Sequence, residues 1–209
     1  MTTLIIARHG NTFEEDETPR RVGARTDLPL TEKGRAQARA IGEYLKEHRL
    51  VPDATYSSKL KRTIETGEIA VRAAGFPQHI YQLDIFNEID YGPDENKTEE
   101  EVIARLGEQA LKDWDEKAIV PDGWQVKPEQ VIQNLKGFAD QIRTHDDGEV
   151  VLVVTSNGIA RFIPHLTGDF EGFRQNHNIK LSTGALSVLQ YTDGRWTVRN
   201  WNLRPGKSQ

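Results

Sequence analysis

Short apolar runs alternate with amphipathic stretches along this chain. Leu4-Ile5-Ile6-Ala7 is apolar at every position, which predicts a strand buried on both faces. Thr31 suits the N-cap of a helix over about 32–48, with Ala36, Ala40, Ile41, Tyr44 and Leu45 on one face. Pro52 ends that connection, and Ala54 to Ser57 reads as a second short strand. Ser58 is placed to cap a helix carrying Leu60, Ile64, Ala70 and Val71. Residues 80–86 are predicted extended. Thr98 and Glu101 form a capping box that opens a helix whose apolar face runs through Val102, Leu106, Leu111 and Trp114. Pro128 fits the first turn of another helix, continued by Val131, Leu135, Phe138 and Ile142. Glu149 to Val154, after Gly148, is the best buried-strand candidate, and a helix follows from about Gly158. Ala185 to Tyr191 and Trp196 to Trp201 flank Asp193-Gly194, a hairpin pattern.

Strand and helix patterns that alternate in this way predict an α/β fold, a three-layer α/β/α sandwich around a mostly parallel sheet. The order of strands at the sheet edge is not fixed by the pattern. A length of 209 residues suits one domain, 1–209, and there is no internal repeat or low-complexity tract.

Composition narrows the partners. The formal net charge is -5 and no long basic run occurs, which argues against nucleic acid and anionic membranes. A local arginine cluster still suits a small anionic substrate. Cysteine is absent, which removes disulfides, zinc–thiolate sites and a thiol nucleophile. The N-terminus lacks the charged and apolar regions of a signal peptide, and the longest aliphatic run, Val150 to Val154, is too short to span a bilayer. A cytoplasmic location is the resulting expectation. Oligomeric state is not legible.

The chemistry gathers where strands are predicted to end. Arg8-His9-Gly10-Asn11-Thr12 leaves the first strand, at the sheet edge where α/β proteins bind ligands. A guanidinium grips phosphoryl oxygens in bidentate fashion. A neutral imidazole nitrogen can attack phosphorus, and Gly10 allows close approach to the backbone. Four further segments accompany it: Gly23 with Asp27 to Thr31, Ser57 to Thr63 around Arg62, Glu88-Ile89-Asp90-Tyr91-Gly92, and Val153 to Arg161. The six histidines are scattered singly, so neither a metal site nor a cofactor is expected.

With these segments in this order, the chain resembles the phosphoglycerate-mutase-like branch of the histidine phosphatase superfamily over about residues 4–190. The resemblance implies a phosphoglycerate-mutase-like fold and a phosphohistidine formed on His9. It implies phosphate binding by Arg8 and Arg62, and general acid and base work by Glu88. Asn11, Thr12, Gly23 and Asn157, within or beside the same motifs, complete the expected phosphate and substrate contacts. Ser156 stands where the family has a second histidine. A serine can give one hydrogen bond to a phosphoryl oxygen but carries no charge, and a lost transition-state donor costs roughly 10²–10³ in rate. Ser156 is thus a candidate catalytic and phosphate-binding residue. Phe13-Glu14-Glu15 replaces a region where the family often has an asparagine. The implied activity is phosphoryl transfer on a small phosphorylated metabolite, as a phosphatase rather than a mutase because the long mutase insertion is missing. The alternative is a slowed or non-catalytic phosphate-binding protein.

Plainer readings stand beside these. Ser156 can serve as a helix N-cap, Glu88 as a solvated loop carboxylate, and Arg161 as a structural helix arginine. Trp114, Trp196 and Trp201 suit packing, and the acidic cluster at 14–17 suits a solvated loop. Nothing in the spacing makes His165 or His177 the missing imidazole. A serine hydrolase built on Ser156 lacks the first glycine of its elbow, where Val154 stands.

Overall fold

The apolar runs pair into one sheet. Its strands are β1 (Thr2–Arg8), β2 (Ala54–Ser57), β3 (Ile80–Gln82), β4 (Val150–Thr155), β5 (Leu186–Thr192) and β6 (Arg195–Leu203). They lie in the order β3-β2-β4-β1-β5-β6. The first four are parallel, and β5 and β6 add an antiparallel hairpin beside β1. This computed structural model describes residues 1–145 and 148–206. Its helices are α1 (Glu32–Glu47), α2 (Lys61–Ala73), α3 (Glu99–Leu106), α4 (Glu108–Lys117), α5 (Pro128–His145), α6 (Asn157–Ala160) and α7 (Phe170–Asn176).

The two central strands show why their sequences are apolar without alternation. Side chains alternate between the faces of a sheet. Ile5, Ala7, Leu152 and Val154 pack with Ile41 and Leu45 of α1 and Ala70 and Val71 of α2. Leu4, Ile6, Val151 and Val153 pack on the other side with Trp114 of α4 and Leu135, Phe138 and Ile142 of α5. Both faces are covered, which makes three layers and leaves no solvated face for polar residues.

Thr31 caps α1 as its sequence suggests, its Oγ1 accepting from Gly34 N at 3.1 Å. The Thr98–Glu101 capping box is also formed. Three expectations change, and the helix expected after β4 forms where placed but is short. Residues 80–86 are not extended throughout: β3 ends at Gln82 and Asp84–Phe86 is a 3-10 turn that swings Phe86 into the core against Phe138. The helix expected through 98–114 breaks at Gly107, whose φ of 79° ends α3 and starts α4 in a new direction. Leu60, not Ser58, occupies the N-cap of α2; the Ser58 hydroxyl instead accepts from Leu60 N one step earlier. The helix after β4 begins at Asn157 and lasts four residues before the 3-10 turn Ile163–Thr167, where Pro164 sits.

Candidate active site

Because β1, β2 and β4 run parallel, their carboxyl ends release Arg8-His9, the segment leading to Arg62, and Ser156-Asn157 on one edge. His9 is pinned by its backbone: its N–H donates to Thr155 O at 3.1 Å and its carbonyl accepts from Gly184 N at 3.1 Å. Gly10 then passes close to the start of α1, where a Cβ would lie 2.3 Å from Gly34 O. Only glycine permits that approach, and it fixes where the imidazole emerges.

The ring is only 6 % exposed. Its Nδ1 lies 2.7 Å from Gly10 O, and a carbonyl only accepts, so Nδ1 carries the proton. Nε2 is left with its lone pair and no partner among the described residues. Burial, then the Arg62 and Arg8 charges, push the His9 pKa well below its ordinary value. The imidazole is therefore neutral at physiological pH, in the tautomer a nucleophile needs.

Arg8 donates from Nη1 to Leu181 O at 2.6 Å, while Leu181 N donates to the Asn157 Oδ1 at 2.9 Å. Asn157 thus helps hold the loop that orients Arg8. Arg62, in the first turn of α2, is fully buried. Its Nη1 donates to Thr26 O at 2.8 Å, and its Nη2 donates to Gly23 O at 3.2 Å and Val22 O at 3.4 Å. The Nε atoms of both arginines are buried without a partner among the described residues. Burial lowers both pKa values, and Glu88 is the foremost charge that opposes this in each case. Both groups remain cationic.

Glu88 is 6 % exposed, so it is not a solvated loop carboxylate. Its Oε1 accepts from Ile89 N at 2.9 Å and its Oε2 from Gly158 N at 3.1 Å. Gly158 is required for that seat, because a Cβ there would fall 2.2 Å from Oε1. Ser156 follows the Arg8–Thr155 register pair of β1 and β4, and so lies beside His9. It holds the N-cap position of α6, yet its side chain makes no capping bond. The Ser156 Oγ is buried without a partner among the described residues.

A cavity of about 550 Å³ opens onto this edge, with Arg8, His9, Asn11, Thr12, Glu88 and Asn157 in its wall. That volume admits a ligand well beyond a bare phosphate. Of the other sequence candidates, Arg62 and Ser156 are fully buried and are not among the residues of that wall, though each carries a buried polar atom with no partner among the described residues. Gly23 lies against Glu95, Ile89 O and Tyr91 and touches the site through the carbonyl that Arg62 grips. Further residues line the cavity: Tyr91 and Arg161, which the sequence motifs include without a site role, and Arg21, Asp115 and Lys180, which sequence reasoning did not place there. Arg161 is structural, as expected, and it also lines the cavity. Its Nη1 donates to Trp114 O at 2.7 Å, its guanidinium lies 3.8 Å over the Trp114 ring, and it also faces the cavity. Burial lowers its pKa to about 10, which leaves it charged at neutral pH. Glu14, Glu15 and Glu17 are exposed but form the outer rim. His165 stacks on Phe170 at 3.9 Å and His177 on Phe173 at 4.6 Å, both away from this cavity. Among the described residues no group of three or more His, Asp or Glu is arranged to hold a metal ion. No described helix is long and apolar enough to cross a membrane.

The family model of the histidine phosphatase superfamily (branch 1) matches residues 4–204. The chain belongs to that superfamily. As a member of branch 1 of that superfamily, it is 26 % identical over 203 residues to the uncharacterized phosphatase PhoE of Bacillus subtilis (strain 168), covering 97 % of this chain and 95 % of that one. It is 30 % identical over 161 residues to the 2,3-bisphosphoglycerate-dependent phosphoglycerate mutase 2 of Gloeobacter violaceus, covering 76 % of this chain and 71 % of the mutase. Among solved structures, YhfR of Bacillus stearothermophilus superposes with a TM-score of 0.77 at 27 % identity, covering 97 % of this chain and 98 % of that one.

Proposed function

We propose that this chain is a phosphomonoesterase that works through a phosphohistidine on His9. The observation that carries this reading is the tautomer of His9: Nδ1–H is held by Gly10 O at 2.7 Å and Nε2 is free at the cavity wall. Nε2 attacks the phosphorus of a small phosphorylated metabolite and the ester P–O bond breaks. Arg8 and Arg62 stabilise the phosphoryl charge, and Glu88 gives a proton to the departing alkoxide. Water then attacks the phosphohistidine with Glu88 as base, releasing inorganic phosphate and neutral His9. The residues supply the positive charge themselves, so no step calls on a metal.

Hydrolysis is favoured over mutase chemistry by the alignment lengths. The phosphatase relative is covered to 95 % of its length, the mutase relative to 71 %. A second reading, a phosphate-binding protein with little turnover, is motivated by Ser156. Its buried hydroxyl brings no charge to the place beside His9. A screen of phosphomonoesters with acid-quench mapping tests the first reading. Acid-labile phosphate on His9, and its loss in His9→Ala, is the expected result. Tight binding of inorganic phosphate with no turnover of any ester would select the second.

A further inference from the structure

One carboxylate outside the cavity wall gathers the loop that holds Arg62. Glu95 Oε1 accepts from Gly23 N at 3.0 Å, Arg25 N at 3.1 Å and Thr26 Oγ1 at 2.8 Å. Its Oε2 accepts from Tyr91 N at 3.2 Å. The same loop, residues 22–26, presents the three carbonyls that receive both Nη groups of Arg62. The fit is close: a Cβ on Gly23 would fall 2.3 Å from Glu95 Oε2. The loop has other ties, Ala24 N to Ile89 O at 3.0 Å and the Arg25 side chain to Asp90 and Gly92 O. Glu95, however, meets three of its donors at once, and its loss would loosen the cradle that aims the guanidinium. Tyr91, on the other side of the carboxylate, lines the cavity three residues after Glu88.

We infer that Glu95 is a positioning residue for phosphate recognition. It fixes the 22–26 loop whose carbonyls hold both Nη groups of Arg62, which leaves its buried Nε without a partner among the described residues. Glu95 acts through Arg62 and contacts no reacting atom. The inference rests on the phosphate role proposed for Arg62, and it extends that role to the residue that makes it possible.

Calorimetric titration of the full chain with inorganic phosphate tests this without depending on turnover. Glu95→Ala is expected to weaken phosphate binding about tenfold, the scale of one charge-assisted hydrogen bond. Glu95→Gln keeps an amide oxygen for the three loop donors but turns its NH₂ toward Tyr91 N, and is expected to recover part of that loss. The deciding measurement is a double-mutant cycle with Arg62→Gln. If Glu95 works through Arg62, adding Glu95→Ala to Arg62→Gln changes the phosphate affinity less than about twofold. Losses that multiply in full, or an unchanged affinity in Glu95→Ala, would overturn the inference. Should Glu95→Ala fail to fold, Thr26→Val removes one of the donors and leaves the carboxylate in place. It is expected to weaken phosphate binding severalfold, again only when Arg62 is present; no change would equally overturn the inference. A wild-type chain that binds phosphate with this coupling but hydrolyses no ester would refute the enzymatic reading alone. A wild-type chain that binds no phosphate refutes the positioning role.

Discussion

His9 and Ser156 emerge side by side from two central parallel strands. The His9 N–H donates to Thr155 O at 3.1 Å, and Arg8 and Thr155 are register partners. A neutral imidazole therefore neighbours a buried hydroxyl that no described residue satisfies. An unsatisfied buried hydroxyl costs about 1–3 kcal/mol, which the fold bears without a structural return. A phosphoryl oxygen in the site is the acceptor that would use it. Ser156→Ala is expected to leave the melting temperature unchanged or raised while turnover falls by about 10². Thermal unfolding alongside single-substrate kinetics checks both halves. Full activity in the alanine variant would leave Ser156 without a role in the chemistry.

The proton inventory of His9 gives a second expectation. Burial and the two arginines hold its folded pKa well below the ordinary value, which is about 6.5 in an unfolded chain. Below about pH 6.5 the unfolded state thus binds the extra proton and the folded state does not, so stability falls as pH drops through that window. Above it, His9 contributes no pH dependence. The His9→Gln variant should lose less stability on acidification than the wild type, measured by urea unfolding. Nitrogen NMR should show His9 still neutral, with the proton on Nδ1, at the pH where an ordinary imidazole is half protonated. A half-protonated His9 signal at that pH would contradict the buried, cation-flanked seat described above.

Glu88 has both carboxylate oxygens fixed by backbone N–H groups, of Ile89 and Gly158. An amide in its place must turn its NH₂ toward one of these donors. Glu88→Gln also removes the transferable proton. A general acid matters most where the leaving group is a strong base, and it contributes typically about 10²–10⁴. Hydrolysis of alkyl phosphates should therefore fall by about that factor, and hydrolysis of nitrophenyl phosphate far less. Equal losses on both substrates would take Glu88 out of the acid role.

The proposed mechanism places positive charge on Arg8 and Arg62, both buried at the site. Turnover is accordingly expected to persist after exhaustive treatment with EDTA. Complete inhibition that added divalent ions reverse would require another account of how the phosphoryl charge is met.

The sheet was legible in the sequence because its central strands are buried on both faces, so Leu4 to Ala7 and Val150 to Val154 are apolar at every position. Caps were legible where one side chain decides, as at Thr31 and Thr98. The break at Gly107 was not, because the apolar spacing of Val102, Leu106, Leu111 and Trp114 continues across it while the backbone does not. In the site, the motifs name residues at strand ends. Asp115 and Lys180 reach the cavity from α4 and from the loop before β5, and pair with each other at 2.7 Å. Nothing local distinguishes them from surface charges. Arg161 carried only an ambiguous signal, since a helix arginine reads as structural until its burial against Trp114 and its place in the cavity wall are seen.

Gly158 offers the sharpest test of how the site is assembled. It donates to Glu88 Oε2 at 3.1 Å, and a Cβ on it would lie 2.2 Å from Glu88 Oε1 and 3.2 Å from Ile89 Cγ1. Glu88 cannot yield at its tip, because the same oxygen accepts from Ile89 N. Gly158→Ala should therefore displace the carboxylate from its seat. The helical position itself gains up to about 1 kcal/mol from alanine, which offsets part of the steric cost, so the change in stability should be small. Activity should respond differently. Alkyl phosphate hydrolysis should fall with the leaving-group pattern of Glu88→Gln, and combining the two substitutions should add little to either alone. Rates on alkyl and nitrophenyl esters, measured for both single variants and the double variant, decide the matter. A uniform loss on both esters would mean that Gly158 shapes the pocket in general, and that the carboxylate is not what it protects.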